Sequence, residues 1–144
     1  MGGNKLVTPG ELKKLSEESL LRKVQEQFER AKKVEQEQQG LREAFMTREI
    51  HPQVMERVNA AVRRAAEQGL HEIEVLKFPA SYCNDKGRRI NNSEPDWPDS
   101  LEGFAKRAYE FYVKELQPLG FKVRAQVLSF PEGRLGDIGF YLSW

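Results

Sequence analysis

Polar chemistry concentrates between Phe78 and Pro98, FPASYCNDKGRRINNSEPDWP. Arg88, Arg89, Asn91, Asn92, Asp96 and Trp97 fall within it, and Arg134 falls in a second, Gly-rich loop at 131–137. Guanidinium forks and carboxamides suit a carboxylate, a phosphate or a partner's backbone. Trp97 adds a flat apolar surface of the kind that anchors binding interfaces. These residues are the candidate ligand- or partner-binding set. The same stretch also reads as a structured loop that satisfies its own backbone, since Asn84-Asp85-Lys86-Gly87 is ordinary turn chemistry.

Other chemistry finds little support. Cys83 with His51 or His71 as its base would make an activated nucleophile. Neither histidine stands in a motif, however, and a single cysteine fits a buried structural role better. The two histidines lack helical i, i+4 spacing, and one cysteine cannot build a thiolate site, so no metal is expected. Dinucleotide, P-loop and nucleophile-elbow fingerprints are absent, so no cofactor is expected and no catalytic residue is assigned. The balance leans against an enzyme.

Composition narrows the partners. Residues 1–50 carry ten Lys/Arg against nine Asp/Glu, and residues 51–144 carry thirteen of each. Neither part has the basic excess of a nucleic-acid footprint. No run approaches the ~20 apolar residues of a membrane span, and the first residues lack the apolar core of a signal peptide. A soluble, cytoplasmic protein is the expectation.

The elements that would position the loop follow from patterning. Thr8-Pro9-Gly10-Glu11 predicts a capped helix start, and the charged segment to about Gln39 predicts one long helix broken at Gly40. Leu21, Val24, Phe28 and Ala31 form a short coiled-coil-like seam on it. Pro52 is expected at the first position of a second helix that ends at Gly69, with Val54, Val58, Ala61, Val62 and Ala65 inward. Strands are predicted over 71–78, 121–130 and 138–144, with a third helix from about Leu101 to Leu116.

Val75-Leu76-Lys77-Phe78-Pro79 is echoed by Val127-Leu128-Ser129-Phe130-Pro131. Both strands run from a polar to an apolar end on one face, which suggests that they pair side by side and parallel. The expected fold is therefore α/β (α+β): a three-stranded mixed sheet with a βαβ unit and a C-terminal hairpin. Two helices pack on it and a long N-terminal helix precedes it. Domains are expected at 1–49, a polar helical extension, and 50–144. Both loops would leave from one sheet edge, where α/β sheets tend to bind ligands. Leu76, Phe78, Leu128 and Phe130 would leave the sheet's second face half apolar and in need of a cover.

Two functions follow as expectations. The first is a non-catalytic interaction or regulatory module that associates with a protein partner or with itself through Leu21, Val24 and Phe28. The second is a domain that binds a small anionic ligand with the 79–98 loop.

Overall fold

Thr8 and Glu11 close the reciprocal cap that their spacing predicts. The Glu11 N–H donates to Thr8 Oγ1 and the Thr8 N–H to Glu11 Oε2, each at 3.3 Å. From this cap, helix α1 runs over Pro9–Thr47, 39 residues, in a computed structural model that describes residues 6–144. The break expected at Gly40 does not occur. One glycine costs a helix interior only about 1 kcal/mol, and the turns beyond it carry Phe45 and Met46, both half-buried. Among the described residues no helix is long and apolar enough to cross a membrane.

The chain separates into two units, Met1–Leu41 and Arg42–Trp144. In the first, every described residue is exposed. Glu18/Arg22, Glu26/Arg30 and Glu29/Lys33 stand at i, i+4 with the acid N-terminal, an order that supports a solvated helix.

The second unit contains helix α2 (Val54–Glu67), strand β1 (Glu72–Pro79), a short helix α3 (Arg88–Asn91), helix α4 (Gly103–Phe111), and strands β2 (Lys122–Val127) and β3 (Asp137–Ser143). Pro52 stands in a turn just outside α2, where the Gln53 N–H donates to His51 Nδ1 at 3.0 Å. The predicted end at Gly69 holds. Its φ is +79°, and the Leu70 N–H reaches back to Ala65 O at 2.9 Å to close the helix. The third helix is shorter than its apolar periodicity suggests. It is α-helical only to Phe111 and continues as a π turn over Tyr112–Leu116.

The three-stranded sheet and the mixed α+β class stand as read, but the pairing does not. The strand order is β1-β3-β2 and both pairings are antiparallel, so the expected mixed sheet with β1 beside a parallel β2 is replaced. The reason lies in β3. Ile138, Phe140 and Leu142 are buried on one face, and Gly139 is buried on the other. The flanking strands carry the charges Glu72, Glu74, Lys77, Lys122 and Arg124, which suit an edge. β1 and β2 do run in the same direction, with β3 inserted between them. Their ends meet the start of β3 at Phe78↔Ile138 and Val127↔Ile138, so both loops leave from one edge.

A β-bulge at Val75 resets the alternation of β1. Ile73, Leu76 and Phe78 therefore share the core face with Leu142, Phe140 and Ile138. The expected apolar half of the second face is only partly there: the bulge turns Leu76 and Phe78 to the core, whereas Leu128 packs over Gly139 and Phe130 stays exposed, and the rest of the face presents Glu72, Glu74, Lys77, Tyr141, Arg124 and Gln126. The core gathers Phe78, Ala80, Cys83, Ile90, Leu101, Ala105, Val127, Ile138 and Phe140. Phe45, from the last turns of α1, joins them, with ring centroids 5.5 Å from Phe78, 4.9 Å from Tyr82 and 6.0 Å from Phe104.

Candidate functional site

The loop after β1 is built by its own side chains. Asp85 accepts from the Gly87 N–H at 2.9 Å and from the Arg89 N–H at 3.0 Å, which starts α3. The Asn84 carboxamide donates to Asp99 O at 2.9 Å, and the Ser100 hydroxyl donates to Trp97 O at 2.6 Å. The hairpin loop joins it where the Ala80 N–H donates to Gly136 O at 2.8 Å. Leu135 packs against the same core. The two loops thus lie together at the sheet edge.

The guanidinium groups of this loop face its own carboxylates. Arg89 lies 3.8 Å from Asp85 and 3.6 Å from Asp96, and Arg88 lies 3.9 Å from Glu94. Asn91 and Asn92 are exposed at the end of α3, and Arg134 is exposed on the hairpin loop. Trp97 is half-buried. Its ring meets Tyr109 at 5.3 Å and Phe140 at 5.8 Å, so it anchors the loop to the core. A cleft beside the loop, of about 410 Å³, is lined by Asp99 and Glu102 as well as Lys106. Its charge is mixed, which gives an anion no net pull.

Cys83 is buried, and its burial pushes the thiol up to about 11, outweighing the opposite influence of the neighbouring Ser100. A thiol held protonated is a poor nucleophile. His51 engages the α2 start and Arg57, whose Nη2 lies 3.3 Å from its Nε2. Among the described residues no group of three His, Cys, Asp or Glu is placed to hold a metal ion.

On the open sheet face, Arg124 reaches across β3 to grip Glu72 with both arms, Nε to Oε2 at 2.8 Å and Nη2 to Oε1 at 2.6 Å. Its guanidinium carbon lies 4.3 Å from the Tyr141 ring centroid beneath. The bond to Arg124 holds the Glu72 carboxyl below its ordinary range. Glu72 and Arg124 thus attract each other across the strand that separates β1 from β2.

The self-association residues all stand on α1. Leu21 is 63%, Val24 55% and Phe28 71% exposed. Leu20 and Val34, apolar positions of the same helix, are also exposed and border the seam. One unforeseen residue is Arg107, which donates from Nη1 to Met46 O at 2.9 Å and Arg48 O at 3.1 Å at the end of α1. Nothing in its local spacing signals this role, because its acceptors lie about sixty residues earlier in the chain. No protein-family model matches the chain, and no curated protein or solved structure matches it.

Proposed function

We propose that this protein is a non-catalytic interaction module that associates with itself through α1. The observation that carries the reading is the exposed apolar face of that helix: Leu20, Leu21, Val24, Phe28 and Val34. An apolar stripe along a long polar helix is stabilised by burial against another helix. The seam spans about one and a half heptads before Glu35 and Gln38 interrupt it, so a weak, concentration-dependent assembly is expected.

Sedimentation velocity over a wide range of concentration tests this. The wild type should move from the 16.6 kDa chain mass toward a multiple of it. Leu21→Glu with Phe28→Glu should hold it at the chain mass without loss of helix by circular dichroism. A wild type that stays monomeric throughout removes the proposal.

The anionic-ligand reading has less support, because Arg88 and Arg89 would have to leave Glu94, Asp85 and Asp96. Thermal unfolding with inorganic phosphate checks it: stabilisation that Arg89→Ala abolishes would favour it over self-association alone.

A further inference from the structure

The geometry points to a binding site for a small uncharged hydrocarbon group between α2 and the core face of the sheet. A cavity of about 110 Å³ lies there. Val54 and Val58 of α2, Leu76 and Leu142 of the sheet, and Tyr112 and Leu116 of the π turn line it. Every lining side chain is aliphatic or aromatic. The Tyr112 hydroxyl is already engaged, donating to Phe121 O at 2.8 Å.

This lining selects its occupant. A buried water needs about two to four polar partners, whereas an engineered apolar cavity of roughly 150 Å³ stays dry and accepts benzene or xenon. An ion would lose its hydration against walls that are almost wholly apolar. A benzene-sized ring or a short alkyl branch loses nothing and gains contact with the walls.

Three features of the fold converge on the cavity. The α2 residues that line it cover it loosely: Val54 and Val58 are only half-buried. Val75, the bulge residue, lines the cavity while 44% exposed, so it forms the mouth. The π turn over Tyr112–Leu116 shapes the opposite wall, and such turns are frequently found at functional sites.

Benzene added to the full chain is the probe, read by thermal unfolding and by methyl resonances in solution. The expected result is a saturable rise in Tm, with shifts concentrated on Val54, Val58, Leu76 and Leu142. Ala108→Leu, which projects into the cavity from α4, should abolish the response while the protein stays folded. Val58→Phe fills the space from the other wall and serves if the first variant does not fold. Phe28→Asp on α1 should leave the response intact, which separates this site from the association surface. A wild type without a saturable response overturns the site, as does a response that survives in the filled variant.

Discussion

At Gly103 a single methyl group decides whether the end of α1 can lie against the start of α4. Its φ is +59°, and a Cβ there would come 2.7 Å from Met46 Cα and 3.1 Å from Phe45 O. Gly103→Ala should therefore combine left-handed strain with a backbone overlap and lower unfolding free energy by about 2 kcal/mol or more. Urea unfolding measures it, and a loss under a few tenths would show that the helix end yields. Cys83 makes a different prediction, about pH. Its folded thiol is raised to about 11 from an ordinary 9.0, so its contribution is fully present below pH 9 and is lost as pH climbs toward 11. Stability should fall across that window in the wild type and fall less in Cys83→Ala. A thiol reagent near neutral pH should label Cys83 only at the rate of unfolding. Fast labelling of the native protein would show that the buried thiol is reached without unfolding.

At the scale of elements, the sheet shows what patterning can and cannot specify. Strand positions, the Thr8–Glu11 cap and the Gly69 stop were legible because each rests on neighbours in the chain. The order of strands was not. The echo between 75–79 and 127–131 correctly implied a common direction, yet adjacency depends on which strand is apolar on both faces. That signal lay in Ile138, Gly139, Phe140 and Leu142. The bulge at Val75 was equally hidden: one unpaired residue inverts every later side chain, and alternation alone cannot register it. The loop's turn chemistry could be read locally, but whether its arginines were free required knowing where Glu94 and Asp96 fold back. The bridge over β3 offers the test of this element. Because the Glu72 carboxyl is held below its ordinary value, its contribution is present above that value and fades as pH falls through the folded one. A double-mutant cycle of Glu72→Gln and Arg124→Gln should give a favourable coupling that shrinks with salt and with acid. A coupling indifferent to both would mean that Arg124 acts through its stacking on Tyr141.

For the whole molecule, the decisive question is how much of α1 belongs to each unit. The sequence places the boundary before Ile50, whereas the second unit begins at Arg42. The difference is physical: residues 42–49 carry Phe45, which meets three aromatic rings, and the Met46 and Arg48 carbonyls that Arg107 binds. Arg48 itself lies 4.2 Å over the Phe104 ring. A fragment of residues 42–144 retains all of these contacts, and one of residues 50–144 loses them. Removing a half-buried phenylalanine and unpairing a guanidinium should cost about 2–4 kcal/mol. The longer fragment should therefore unfold cooperatively near the wild-type urea midpoint, and the shorter one well below it. Equal midpoints would mean that the last turns of α1 contribute nothing to the second unit. The same pair of fragments also bears on association. Both lack Leu21, Val24 and Phe28, so both should sediment as single chains at concentrations where the full chain assembles. If the 42–144 fragment assembled as readily as the full chain, the interface would belong to the second unit, and the exposed stripe of α1 would have no part in it.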